Sequence, residues 1–255
     1  MSRLARLTLL APILLLTACF QGQRVIKVGA DGSGTVVDTL VLGQQLKAMM
    51  AAKATGPEAV AEEKRKYEAT AAAMGPGVTF VSEETRPDGF VATYAFKEIG
   101  QIQVEAAPGP GGDKDSGQAS KPLRFRLTRH GAKSVLTVVQ PQPEPAAPGG
   151  ELPKGMRNLA SGMWTMMRGM LKGLRVQTRV DVDGVVTRTT SRYRQGSSVT
   201  LLELDFDQIT ATDANFEKFT RAGDDPSTMD ARKLQGVKGV KVNPEPEVVI
   251  EFTSN

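Results

Sequence analysis

The sequence predicts an α+β fold, an extensive antiparallel sheet of hairpins and a meander with helices packed on one face. Two patterns carry this expectation. Short runs such as Leu123-Arg124-Phe125-Arg126-Leu127 alternate apolar and polar residues, which places one set on each face of a strand. Two longer stretches, around 57–74 and 156–174, instead repeat apolar residues at the three- and four-residue spacings of a helix. The chain has 255 residues, 40% of them hydrophobic, with 26 Gly and 15 Pro to supply turns. That suffices for one large domain or two small ones.

The chain opens on a targeting signal. Arg3 and Arg6 form a positive segment, Leu7 to Leu16 an apolar one, and Leu16-Thr17-Ala18-Cys19 follows. The apolar segment is too short for a membrane-spanning helix, which needs ~20 such residues. The order Leu-Thr-Ala-Cys resembles the lipobox of bacterial lipoproteins. That resemblance implies a signal peptide over residues 1–18, cleavage before Cys19, a diacylglyceryl group on its thiol and an acyl chain such as palmitate on its new amine. Two or three such chains hold a protein durably on a membrane. Phe20 stands where an aspartate would signal inner-membrane retention in many enteric lipoproteins. In a cell with two membranes the resemblance therefore implies an outer-membrane anchor facing the periplasm. Cys19 is the single cysteine, so no disulfide braces the mature fold.

Cleavage leaves 237 residues, and the net charge of +4 falls to +2 without Arg3 and Arg6. So small an excess of positive charge argues against nucleic acid as a partner.

The mature chain begins with a hairpin: Arg24 to Val28, a turn at Asp31-Gly32-Ser33-Gly34, and a β-branched run from Thr35 to Leu42. Asp31 is one carboxylate by itself, and a turn accounts for it better than a cation site does. Gln44 to Ala54 reads as a helix ended by Gly56-Pro57. Pro57 then suits the first turn of a second helix running to Met74, with Val60, Tyr67, Ala71 and Met74 on its buried stripe. The order of lipidated cysteine, immediate strand, Asp-Gly-Ser-Gly turn, strand and helix over 19–55 resembles the LppM-type domain of actinobacterial lipoproteins. The resemblance implies an α+β fold with an apolar cavity for lipid, and it transfers no functional residue.

A second hairpin follows, Val78 to Glu83 and Phe90 to Phe96 around Pro87-Asp88-Gly89, and Ile99 to Ala106 continues the sheet. Residues 107–121 are nearly all Gly, Pro, Asp, Lys, Ser and Gln, a flexible insert. Leu123 to Leu127 and Ser134 to Val139 form a hairpin whose tip bears His130, the single histidine. With no second histidine and no free thiol, a transition-metal site of the usual N/S kind is not expected. Pro/Gly-rich residues 141–154 read as a linker between an N-terminal region, 19–140, and a C-terminal region, 155–255, which could also fold as one domain.

Met156, Leu159, Met163, Met166 and Met170 recur at helical spacing, widened by Trp164 and Met167. Methionine is flexible and polarisable, so three readings stand: a core helix, a wall for an apolar ligand, or a Cu(I) site of thioethers. The ligand-binding candidates are Met163, Trp164, Met166, Met167 and Met170. Beyond them, Leu174 to Val182, Asp183-Gly184, Val185 to Tyr193 and Val199 to Phe206 read as a three-stranded meander. Short helices at 212–219 and 226–234 precede a terminal strand from Val248 to Phe252, which Pro244 and Pro246 would confine to an edge.

Asp181 and Asp183, and Asp205 and Asp207, are spaced to share a strand face and so are formally available as acid–base pairs. No nucleophile elbow, phosphate loop or zinc-binding helix motif accompanies them. The expectation is a non-catalytic envelope lipoprotein, without cofactor or metal, that is held on the membrane by Cys19 and binds an apolar ligand or a protein partner. The alternative is an assembly lipoprotein with no small ligand, and an enzyme of unknown class stands third.

Overall fold

The computed structural model describes residues 20–43, 57–106, 122–141, 168, 171–222 and 231–254. In chain order the first elements are β1 (Phe20–Val28), β2 (Gly34–Leu42), α1 (Pro57–Met74), β3 (Thr79–Arg86) and β4 (Gly89–Phe96). There follow β5 (Gln103–Val104), β6 (Leu123–His130), β7 (Lys133–Val139), β8 (Arg175–Val182) and β9 (Val185–Thr189). The last are β10 (Arg194–Gln195), β11 (Ser198–Asp205), α2 (Phe206–Ile209), α3 (Asp213–Ala222), β12 (Val240–Val242) and β13 (Glu247–Thr253).

The fold is α+β, and its strands form two sheets. The larger runs β10-β11-β8-β1-β2-β4-β3, with β12 also paired to β11; the smaller runs β5-β6-β7-β13-β9. Every pairing is antiparallel except that of β1 with β8. A parallel pair needs a long crossover, and everything from Gly29 to Leu174 supplies it. Strands from before and after residues 141–154 thus lie side by side in both sheets.

Period-two alternation decides which face is buried. Ile26 and Val28 of β1, Val36 of β2 and Val180 and Val182 of β8 face Leu136 and Val138 of β7 and Ile250 and Phe252 of β13 in one core cluster. The helix α1 closes the edge by β3 and β5. Its Ala71 and Met74 are buried, and Tyr67 stacks on Phe80 with ring centroids 4.9 Å apart. A smaller cluster gathers Phe206, Ile209, Phe216 and Phe219 with Leu234, Val237 and Val240, and Leu171 and Leu174 pack against it.

Several sequence expectations give way here. The expected meander through Asp183-Gly184 does not form: β8 belongs to the larger sheet and β9 pairs with β13 in the smaller. Gly184 marks a corner between sheets, with φ at 150°, and a Cβ there would lie 2.1 Å from the Thr253 carbonyl oxygen. The terminal strand β13 is interior, between β7 and β9, because its prolines end before the paired residues begin. Ile99 to Ala106 holds a 3-10 turn, Ile99–Gln101, and only the short β5. The run Val185 to Tyr193 stops as a strand at Thr189, and residues 231–236 are turns rather than helix. The expected helix at 44–54, the insert at 107–121, most of the linker and the methionine stretch 156–167 lie outside the described residues, as does Cys19.

Candidate functional site

The solvent face of the larger sheet is where the structure concentrates polar chemistry. Residues of β1, β2, β8, β11 and β12 line a groove there of about 430 Å³, within the size range of small-molecule sites. Register explains its composition. In β8 the buried Val180 and Val182 alternate with Arg175, Gln177, Arg179 and Asp181, so the second set must face outward. Parallel pairing sets Gln21 of β1 beside Arg175 and Gln23 beside Gln177, while Glu203 of β11 is registered with Gln177 and with Lys241 of β12.

Glu203 is the centre of this groove. Its side chain is only 5% exposed, although it lies on the outer face. It accepts from Gln177 Nε2 at 2.7 Å, from Lys241 Nζ at 3.0 Å and from Arg175 Nη2 at 3.2 Å. Gln177 in turn accepts from Gln23 Nε2 at 2.6 Å, so one relay of hydrogen bonds crosses three strands. Burial alone would raise the pKa of Glu203. The bonds from Lys241 and Gln177, and the charges of Lys241 and Arg175, outweigh it and hold the carboxyl below its ordinary value.

The carboxylate at the centre of the groove is thus held ionised by its neighbours. Three donors from β8 and β12 converge on its two oxygens, which fixes the carboxylate in place. Arg175 and Lys241 remain 48% and 44% exposed, so part of their donor capacity faces the groove. Arg179 adds a third cation, oriented by Asp181 at 3.1 Å.

A second polar cluster is sealed inside. Arg24 and Asp38 sit on the core-facing phases of β1 and β2 and form a two-pronged pair, Nε to Oδ1 at 2.7 Å and Nη2 to Oδ2 at 2.6 Å. The remaining Nη1 donates to the Glu105 carbonyl at 2.8 Å, and Thr178 Oγ1 donates to the Ala106 carbonyl at 2.6 Å. Burial and the Asp38 charge push the hydroxyl of neighbouring Tyr94 up to about 12. With each guanidinium nitrogen of Arg24 hydrogen-bonded, this cluster fixes the chain before residue 107 to the sheet.

The acidic pairs expected as acid–base candidates have other work. Asp181 orients Arg179; Asp205 caps α2 through Gln208 N; Asp207 lies in α2 and accepts from Gly173 N at 2.9 Å. Asp183 lies in the corner between sheets, where its backbone N–H donates to Val28 O. Asp31 accepts from Ser33 Oγ and Ser33 N, which closes its turn and lowers its pKa. His130 is exposed at the β6–β7 tip. Met163, Trp164, Met166, Met167 and Met170 lie outside the described residues, so the structure neither joins them to the groove nor separates them from it.

Sequence reasoning missed Glu203, Arg175, Gln177, Lys241 and Gln23, all at positions that alternation assigns to solvent. It also passed over Arg24 and Asp38, for which a signal existed: each charge falls on the apolar phase of its strand. Among the described residues no group of three or more His, Cys, Asp or Glu side chains is placed to hold a metal ion.

No family model and no curated protein matches this chain. Among solved structures, the NMR structure of the folded domain of LppM from Mycobacterium tuberculosis aligns over 96% of this chain and 95% of that one. Identity is 11% and the TM-score 0.35. The likeness is a weak one of fold, and no residue or ligand is carried across on it.

Proposed function

We propose that this protein is a non-catalytic envelope lipoprotein, anchored through Cys19, that binds a polar ligand or partner through the groove around Glu203. The observation that carries the reading is the Gln23–Gln177–Glu203 relay with its flanking Arg175 and Lys241. A buried carboxylate that holds two half-exposed cations in place is a recognition surface fixed in advance, which lowers the ordering cost of binding. The lining contains glutamine, threonine, serine, three cations and the single carboxylate of Glu203, with Val41 as its apolar side chain. Such a lining favours a hydrogen-bonding, anionic ligand over the apolar one expected from the methionine-rich stretch. The anchor rests on the Leu16-Thr17-Ala18-Cys19 order; among the described residues no helix is long and apolar enough to cross a membrane.

Two measurements test the reading. Cys19→Ser should release the protein from the membrane fraction or block its processing; normal cleavage with full membrane retention would refute the anchor. Native mass spectrometry of the purified acylated protein should show a retained polar molecule that is lost in Arg175→Gln/Lys241→Gln/Glu203→Gln. Identical spectra for the two proteins would leave the assembly role without a small ligand as the better account.

A further inference from the structure

The distance between the expected anchor and the groove limits what the groove can meet. β1 begins at Phe20, the residue after Cys19, and its first paired residues are Phe20 with Leu42 and Gln21 with Val41. No spacer separates the lipidated residue from the sheet. A strand advances ~3.3 Å per residue, so Gln21 lies ~7 Å and Gln23 ~13 Å along the chain from Cys19. The interfacial layer on each side of a bilayer is ~5–8 Å thick. Gln21 lines the groove, and its registered neighbour is Arg175. The lower lip of the groove is thus within ~7 Å of chain of the anchor, and the register through Glu203 and Gln177 sets Lys241 level with Gln23, ~13 Å along it.

The same end of the sheet also carries α2 and α3, which follow Asp205, the registered partner of Arg175, and pack with Leu171 and Leu174. The Pro87-Asp88 turn lies there, where Leu42 N donates to the Asp88 carbonyl at 2.7 Å, and exposed Lys172 precedes β8. The turns at Asp31–Gly34, His130-Gly131 and Asp183-Gly184 close the opposite ends of their strands. Arg129 ties two of them together by donating to the Ala30 carbonyl at 3.0 Å.

We infer that the anchor seats the domain with the Phe20 end against the membrane, and that the groove takes the phosphate headgroup of an anionic lipid in that same membrane. This rests on the lipoprotein reading proposed above. Arg175 and Lys241 offer the charge-assisted donors that suit a phosphodiester. Glu203 keeps them apart and aimed, and the glutamines supply neutral donors for a headgroup's remaining oxygens.

The test uses the full acylated protein in vesicles of phosphatidylcholine, with or without phosphatidylglycerol. Acylation occupies Cys19, so an introduced cysteine is the one thiol open to a fluorophore. Asp88→Cys reports the Phe20 end and His130→Cys the opposite end. A headgroup nitroxide lipid should quench the label at 88 several-fold more than the label at 130. On extraction into detergent, the protein should retain phosphatidylglycerol over phosphatidylcholine. Arg175→Gln/Lys241→Gln/Glu203→Gln, which leaves no buried carboxylate without a cation, should reduce that retention about tenfold, equivalent to ~1.4 kcal/mol. Soluble glycerol phosphate at matched concentration should not displace the lipid.

Acylated protein with equal quenching at both positions overturns the seating. Retention that is indifferent to headgroup, or displacement by glycerol phosphate, overturns the lipid assignment and leaves a solute site. A mass without acyl chains at Cys19 overturns the anchor itself, and this inference with it. Melting temperature and circular dichroism of the triple variant verify that lost retention is not lost folding; Arg175→Lys/Lys241→Arg, which keeps the charge, should keep most of the retention.

Discussion

Asp38→Asn tests the interior most directly. Arg24 is 6% exposed and Asp38 7%, and both oxygens of the carboxylate are taken by one guanidinium at 2.6–2.7 Å. Removing the negative charge leaves an arginine in the core with the Glu105 carbonyl as its other recorded acceptor. Breaking a buried pair from one side costs ~3–5 kcal/mol, while replacing both partners with apolar groups of similar volume is often close to neutral. Asp38→Asn should therefore destabilise by about 3 kcal/mol or more, softened by what hydrogen bonding the amide retains. Arg24→Met/Asp38→Leu should recover most of the loss, short of ~1 kcal/mol for the orphaned Glu105 carbonyl. Urea unfolding of the two singles and the double gives the coupling energy, which should exceed ~2 kcal/mol for residues in contact. Additive effects, or a cost of Asp38→Asn below ~1 kcal/mol, would show that this pair is solvated and that the sheet-to-sheet core does not enclose it.

Other consequences follow from single residues. The Glu203 carboxyl has a lower pKa folded than unfolded, so its contribution is present above ~4.3, the unfolded value, and is lost as pH falls through the folded pKa. Glu203→Gln should flatten the fall in melting temperature below about pH 4.3; an unchanged acid profile would deny the carboxylate its role. A Cβ on Gly89 would lie 1.8 Å from the Leu40 carbonyl oxygen across the β2–β4 pair. Gly89→Ala should cost ~1–3 kcal/mol in chemical unfolding, and a neutral result would mean that the hairpin closes less tightly. If the methionine stretch serves packing, Met163→Leu and Met167→Leu should each cost less than ~1.5 kcal/mol, because the swap conserves volume. A larger loss, read by thermal unfolding, would show that thioether flexibility matters there.

Much of the fold was written in local patterns. Period-two alternation located the strands of both early hairpins, the β6–β7 hairpin and β11, because a residue's face depends on its own strand alone. Helical spacing found α1, and a capping residue at Thr212 or Asp213 marked the start of α3. What local pattern could not decide was pairing. Asp183-Gly184 has the chemistry of a two-residue hairpin, yet the strand it leaves joins β1 in parallel and the strand it enters joins β13. Partners so distant are chosen by which apolar faces fit together, and the turn residues carry no record of that choice. The groove escaped for a related reason. Gln23, Gln177, Glu203 and Lys241 each look like ordinary solvent-facing residues in their own strands. They become a site only when β1, β8, β11 and β12 lie side by side and shield a carboxylate that no single segment buries. The proposed anchor is the converse case: the pattern that suggests it, Leu16-Thr17-Ala18-Cys19, lies in four consecutive residues. The sequence by itself therefore determined most of the strands and the helices α1 and α3, while tertiary structure alone decided the two-sheet pairing and the groove, since both depend on contacts between segments remote along the chain.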